Sequence, residues 1–354
     1  MALLDVDELV VRFGAGDNAV HAVNGVSFEI GEGETVGFVG ESGSGKSATA
    51  LALMGLLPKP AGRIDSGTIM LEDRDLASLP ESELRTLRGT KLAMIFQDPS
   101  SGLNPVLRIE EQITEGIRAH RRVSGRLARS RAHELLGHVG IPEPSRILRA
   151  YPHQLSGGMR QRVMIAMALA LEPVLLIADE PTTALDVTIQ AQVLELIQRL
   201  SDESGTAVVL ITHDLGIVAG MADRVHVMYA GYVVEQCQTH ELFRNPRHPY
   251  TIGLLHSLPR IDQGLAGFRP IEGAPPNQRG LPVGCPFVPR CPWSLNICGE
   301  EMPPLEPVSA FEAGASVRHP GRQRVACHAR PTKAEAQAGK PLAQTPITAD
   351  KREA

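Results

Sequence analysis

Residues 40–47 read Gly-Glu-Ser-Gly-Ser-Gly-Lys-Ser, and their flanks limit the fold more than any other feature of the chain. Residues 35–39 before them form a short apolar run that predicts a buried strand. Residues 48–57 after them predict a helix stopped by Pro58. A strand that turns through a Gly-rich loop straight into a helix is a βα unit, and such units build parallel sheets covered by helices. Gly40, Gly43 and Gly45, with Ser42 and Ser44 between them, let backbone N–H groups curl around an anion. The helix start adds partial positive charge at the same point. The spacing G-x-x-x-x-G-K-[ST] puts Lys46 within reach of β- and γ-phosphates and the Ser47 hydroxyl in place to ligate Mg²⁺. The competing reading, a Gly-rich turn that binds nothing, accounts for neither flank.

Residues 174–180 read Val-Leu-Leu-Ile-Ala-Asp-Glu, a continuous apolar run expected of a strand buried on both faces. Asp179 at its end would hold Mg²⁺ through water, and Glu180 would orient and polarise an attacking water. The bland alternative is a helix-capping pair ahead of Pro181. Residues 155–162 read Leu-Ser-Gly-Gly-Met-Arg-Gln-Arg. Ser156 predicts the cap of a helix running to about Leu171, and Gly157 and Gly158 leave its first turn open, so this is a second anion site. One nucleotide does not need both sites from one chain.

With 354 residues, 43% hydrophobic and 21% charged, the chain can build one large domain and a smaller appendage. Its formal charge of -5 argues against a generic nucleic-acid binder, because counterion release rewards clustered basic surface. Residues 1–11 carry Asp5, Asp7 and Glu8 where a secretory leader has basic and apolar regions, so a cytoplasmic chain is expected. The longest wholly apolar run, residues 163–171, is shorter than the ~20 residues that span a bilayer. Any membrane role is expected to come through a partner.

In this order, across residues 1–240, these elements resemble the ATP-binding cassette (ABC) family of ATPases. The resemblance implies an α/β fold: a P-loop NTPase core of RecA type with an antiparallel β-subdomain, a helical subdomain over about residues 98–170, and a small loop-rich C-terminal domain. Gln97, in Met94-Ile95-Phe96-Gln97-Asp98-Pro99, matches the Q-loop, which reaches Mg²⁺ and couples the metal site to a transmembrane partner. Ala184-Leu185-Asp186 matches the D-loop, and His213 matches the switch histidine that contacts the γ-phosphate. Phe13 is the implied platform for adenine, with core packing as its other reading. The turn-rich residues 98–105 resemble the surface onto which permease coupling helices dock. Members pair head to tail, each ATP lying between the loop of one cassette and the Ser-Gly-Gly helix of the other. Met159 stands where many members have Gln. Little effect is expected, since Met is a good helix former and the anion contact uses Ser156 and backbone.

Arg118, Arg121, Arg122, Arg126, Arg129 and Arg131 fall close together with no acidic residue among them. They read as a solvated helix face, with anionic lipid headgroups or a partner's loop as the alternatives.

Residues 247–251, Arg-His-Pro-Tyr-Thr, followed by Leu254-Leu255 and Ser257-Leu258-Pro259, resemble the extension of oligopeptide and dipeptide permease ATPases. Cys285, Cys291, Cys298 and Cys327 follow with spacing C-x₅-C-x₆-C-x₂₈-C, while Cys237 reads as a buried thiol. Clustered cysteines in a reducing compartment point to metal or redox chemistry. The spacing lacks the paired ligands of structural zinc, although His319 and His328 offer nitrogen, and it leaves zinc, iron–sulfur and no metal open. The subfamily resemblance implies a [4Fe-4S] cluster acting as a structural staple. The expected organisation is an ATP-binding domain over residues 1–240, the extension over 241–330 and a disordered tail over 331–354.

The implied activity is ATP hydrolysis that drives import of dipeptides or oligopeptides. ATP and Mg²⁺ are the implied ligands. The implied partners are a second ABC ATPase subunit, expected to form a heterodimer, two transmembrane permease subunits and an extracytoplasmic peptide-binding protein. No nucleic acid is expected. The implied location is the cytoplasmic face of the cell membrane. An importer ATPase for another small solute, such as nickel or glutathione, and a soluble ABC ATPase without permeases are the alternatives.

Overall fold

The computed structural model describes residues 2–98, 102–183, 185–258, 270–280, 283–308 and 323–339. The chain divides into two compact units, residues 1–232 and 233–354.

The first unit contains strands β1 (Leu4–Phe13), β2 (Val20–Ile30), β3 (Thr35–Val39), β4 (Gly62–Leu71), β5 (Arg74–Asp75), β6 (Leu92–Ile95), β7 (Leu175–Asp179), β8 (Ala207–Ile211) and β9 (Arg224–Tyr229). Four of them form an antiparallel sheet in the order β2-β1-β4-β5. The others run parallel in the order β9-β3-β8-β7-β6. The core strands β7 and β8 are buried along their whole length, which is why they read as unbroken apolar runs rather than alternating ones. Register then does the positioning. Ile95 pairs with Ala178, Asp179 with Ile211, and Phe38 with Ile211, so the C-terminal ends of β6, β7, β8 and β3 lie side by side. The segments that leave those ends carry Gln97, Glu180, His213 and the loop 40–47, at the edge of a parallel sheet where ligands bind.

The helix after the loop runs only over Lys46–Leu53 rather than to residue 57. Gly55, at φ 61°, turns the chain before Pro58 is reached. Between β6 and β7 lie the helices Ile109–His120, Gly125–His138, Pro144–Ile147 and Gly157–Ala168. Ile109, Ile113, Ile117, Ala132, Leu136 and Val163 are among the buried residues of their shared core. The arginine run proves partly paired: Arg129 meets Glu110 at 3.3 Å, and Arg131 meets Glu134 at 3.0 Å and Glu172 at 2.8 Å. Glu110 comes from another helix and Glu172 from a distant part of the chain, which the local sequence of the run did not reveal, whereas Glu134 lies three residues on in the same helix.

In the second unit, β10 (Tyr232–Gln238) pairs with β12 (Arg324–Val325), which pairs with β11 (Glu306–Pro307). The fully buried Glu235 organises this unit. Its carboxylate accepts from the backbone N–H groups of Arg247 (2.9 Å) and His248 (2.8 Å) and from Gln323 Nε2 (2.7 Å). Gln323 also donates to the Asn245 carbonyl at 2.8 Å, so one carboxylate and one amide hold three separate segments together. His248 caps the helix Pro249–His256, its Nδ1 accepting from Tyr250 N at 3.1 Å. Burial pushes His248 down to about 3, which keeps the ring neutral and able to accept. Cys237 is buried, and burial raises its thiol, as the sequence predicts for an inert core cysteine.

The segment expected to be a disordered tail begins with the helix Lys333–Ala338. Thr332 and Glu335 form a reciprocal capping box there, a local signal that composition alone passes over. Residues 340–354, and His319, lie outside the described residues.

Candidate nucleotide site

Two glycines of the loop are obligatory for different close approaches. At Gly40, φ 153°, a Cβ would fall 2.2 Å from the Met228 carbonyl oxygen. At Gly45, φ 105°, it would fall 2.4 Å from that of Ala22. Inside the loop the Lys46 ammonium donates to the Gly40 carbonyl (2.7 Å), the Glu41 carbonyl (2.9 Å) and Ser44 Oγ (3.2 Å). Burial pulls the Lys46 pKa down, and the negative charges of Glu180, Asp179 and Glu41 work against it. The cation is thus held at the mouth of a loop built to take phosphate oxygens.

Ser47 Oγ donates to Asp179 Oδ1 at 3.1 Å. This joins two of the three residues predicted to hold Mg²⁺, one on the helix and one at the end of β7. Burial raises the Asp179 carboxyl, with the Ser47 hydrogen bond opposing it and Glu180 adding to it. A hydroxyl and a carboxylate side by side are the hard oxygen donors that Mg²⁺ takes, so the residues present fit that ion. Beside them Glu180 sits at φ 45°, a left-handed conformation that strains a side-chain-bearing residue. Its backbone N–H donates to the Ile211 carbonyl at 2.8 Å, which holds the bend. The carboxylate collects three side chains: Gln97 Nε2 donates to Oε2 at 2.8 Å, Thr183 Oγ1 donates to Oε2 at 2.8 Å, and His213 Nδ1 lies 3.2 Å from Oε1. Burial works to raise its pKa, but hydrogen bonds from Thr183 and His213 and the charges of His213 and Lys46 outweigh it and hold the group below its usual range. Glu180 therefore stays ionised at neutral pH.

The structure thus brings Lys46, Ser47, Gln97, Asp179, Glu180 and His213 into one site. Thr183 belongs with them and was not singled out from the sequence. Its signal is a hydroxyl three residues beyond the acidic pair. Among the described residues, the contacts of Ser156, Gly157 and Gly158 lie elsewhere. Ser156 caps the helix Gly157–Ala168 by accepting from Met159 N at 3.3 Å. A Cβ on Gly157 would meet Leu185 at 3.7 Å, and one on Gly158 would meet Ile189 Cγ2 at 2.9 Å. Gly158 is therefore required by packing within the chain. Gly158→Ala is expected to destabilise the chain by about 1–3 kcal/mol in thermal unfolding, through overpacking. Adding Ile189→Ala should recover part of that loss, and simply additive losses would disprove the contact. Asp186 caps the helix Val187–Ser204, accepting from Ile189 N at 3.0 Å. The half-buried Phe13 lies at the end of β1, where a Cβ on Gly62 would meet its ring at 2.9 Å.

Comparison with known proteins agrees with this geometry. A family described as ABC transporter matches residues 23–183, and one described as Oligopeptide/dipeptide transporter, C-terminal region, matches residues 234–298. The chain is 52% identical to the Oligopeptide transport ATP-binding protein AppD of Bacillus subtilis over 89% of this chain and 95% of the relative. The chain belongs to the ATP-binding subunits of the oligopeptide/dipeptide ABC transporter family. It is similarly close to OppD of Salmonella typhimurium, at 51% identity over 88% of this chain and 91% of that one. Among solved structures, the dimeric bacterial ABC transporter cassette MJ0796 covers 67% of this chain and 98% of its own, with TM-score 0.60 and 31% identity. A second structure of that cassette, a post-hydrolysis dimer bound to ADP and Pi, aligns equally well. The expected cassette fold is therefore shown, and the chain is an ABC-type ATPase.

The expected iron–sulfur group of this ABC ATPase does not find the same support. Cys285, Cys291, Cys298 and Cys327 do converge, lining one narrow cavity with His248 and His328. Yet among the described residues no group of three or more His, Cys, Asp or Glu side chains is arranged to hold a metal ion. Burial pushes the Cys291 thiol up to about 12 and Cys327 up to about 11, and it raises Cys285 as well. Without a cation, burial keeps the Cys285, Cys291 and Cys327 thiols protonated, whereas a metal takes thiolate. No helix among the described residues is long and apolar enough to cross a membrane.

Proposed function

We propose that this chain hydrolyses ATP to energise import of dipeptides or oligopeptides through a membrane permease. The observation that carries the catalytic half is the Glu180 carboxylate, held by Gln97, Thr183 and His213, beside the Ser47–Asp179 pair, with Lys46 in the adjoining loop. The peptide half rests on the match of residues 234–298 and on relatives named for oligopeptide and dipeptide transport.

Hydrolysis is phosphoryl transfer to water. Lys46 and the loop N–H groups balance charge on the β- and γ-phosphates, Glu180 orients the water and takes its proton, and His213 contacts the γ-phosphate. Mg²⁺ would be held by Ser47, Asp179 and Gln97, where it neutralises charge on the phosphate oxygens. Ser156, Gly157 and Gly158 of a second ATPase subunit complete the site from the far side of the nucleotide, and Asp186 lies at that junction. A heterodimer is the arrangement favoured here. Phe13 supplies the face on which adenine stacks. Two permease subunits and an extracytoplasmic peptide-binding protein complete the assembly, with this chain on the cytoplasmic face of the membrane. ATP-dependent uptake of labelled peptides into vesicles holding the complex tests the reading. Uptake of nickel or glutathione in place of peptides would overturn the peptide assignment.

The four-cysteine cavity is where this reading places a [4Fe-4S] group, held by Cys285, Cys291, Cys298 and Cys327. Its support is the convergence of four thiols on one space. Anaerobically purified protein should show visible sulfur-to-iron charge-transfer absorption, lost together with C-terminal order in the Cys→Ser variants. A colourless protein with an ordered C-terminal unit would remove the cluster from the account.

A further inference from the structure

The three groups on the Glu180 carboxylate are not equivalent. Gln97 leaves the end of β6 and His213 leaves the end of β8, and in the mechanism above each has a second task, at Mg²⁺ and at the γ-phosphate. Thr183 has no other task. It is tied to the same turn as Glu180, its backbone N–H donating to the Glu180 carbonyl at 3.2 Å while its hydroxyl donates to Oε2 at 2.8 Å. The two hydrogen bonds close a local ring around a residue whose backbone is strained at φ 45°. The two carboxylate oxygens consequently differ. Oε2 accepts two hydrogen bonds, from Gln97 and Thr183, whereas among the described residues Oε1 faces His213 alone, at the longer distance of 3.2 Å.

We propose that Thr183 is a positioning residue for hydrolysis: its hydroxyl clamps Oε2 of Glu180, fixing the carboxylate so that Oε1 is the oxygen that takes the proton of the attacking water. The step is balanced: water oxygen bonds to the γ-phosphorus as the bond to the β-phosphate bridging oxygen breaks, and the water proton passes to Oε1. The inference rests on Glu180 being the base, as set out above. A second donor on Oε2 draws electron density from that oxygen and fixes the rotation of the carboxylate, so the proton-accepting lone pair of Oε1 points one way. When Gln97 and His213 engage the metal and phosphate, Thr183 is the contact that needs no rearrangement to persist.

The test is Thr183→Val, which keeps the shape and removes the hydroxyl. Thr183 is exposed, so the change leaves the buried core alone. In the assembled transporter, kcat for ATP hydrolysis should fall at least about tenfold, the effect of losing one hydrogen bond to a charged group. KM for ATP and the affinity of the purified chain for a fluorescent ATP analogue should stay within about twofold, since Thr183 acts on the carboxylate and not on the nucleotide. Thr183→Ser, which restores the hydroxyl, should recover most of kcat. In a Glu180→Gln background, Thr183→Val should add nothing further. Normal kcat in Thr183→Val, or failure of Ser to rescue it, overturns the proposal while leaving Glu180 in its role. Near-normal hydrolysis by Glu180→Gln alone would instead remove the reading on which it rests.

Discussion

Glu180→Gln is expected to bind ATP normally and to hydrolyse it about 10²–10⁴-fold more slowly, the range over which a positioned general base contributes. The change is close to isosteric. The amide oxygen can still accept from Gln97, Thr183 or His213, so the site keeps its shape while losing the basic oxygen. With hydrolysis blocked, ATP held between two cassettes is not released, and the ATPase subunits should accumulate as a nucleotide-bound dimer. Single-turnover hydrolysis and gel filtration with Mg²⁺ and ATP read the two effects separately. Turnover within threefold of the native rate would mean that another group activates the water.

Lys46→Ala is the second large effect, and it acts earlier. Native Lys46 is threaded through its own loop, with three acceptors at 2.7, 2.9 and 3.2 Å. Its removal takes away the cation proposed to meet the β- and γ-phosphates and also the ties that hold Gly40, Glu41 and Ser44 in the loop. Removing a preorganised charge stabiliser of this kind lowers kcat by about 10²–10³. Affinity for ATP should fall as well, which Glu180→Gln does not predict. Isothermal titration with ATP therefore distinguishes the variants: weak binding marks Lys46→Ala, and tight binding without turnover marks Glu180→Gln. Unchanged affinity in Lys46→Ala would show that the loop N–H groups alone carry the phosphate contact.

Much of this site is legible in the sequence because its parts obey local rules. The loop 40–47 needs glycine where backbone passes within 2.2–2.4 Å of a would-be Cβ, and that requirement writes itself into the spacing. The strands β7 and β8 announce themselves as unbroken apolar runs because both faces are buried. Other features depend on residues far apart in the chain. The Glu110 and Glu172 partners of the arginines, and the buried carboxylate of Glu235 with donors at 247, 248 and 323, have no local signature. Gly158 looked like an opening for an anion, and the structure adds a packing reason in Ile189, thirty-one residues later.

From the sequence alone come the class of chemistry and the identity of Lys46, Ser47, Asp179 and Glu180, because phosphate binding and β-strand burial each impose a short-range pattern of residue types, whereas Gln97 and His213 were named only through the family resemblance. Only the tertiary structure decided how those residues meet. Parallel register sets the ends of β3, β6, β7 and β8 side by side, the bend at Glu180 turns its carboxylate to receive Gln97, Thr183 and His213, and the cysteines come to one cavity without a formed ligand set. Orientation and hydrogen-bond partnership at those points are fixed by contacts between residues far apart in the chain, 132 residues for Ser47 and Asp179, and sequence spacing carries no record of them.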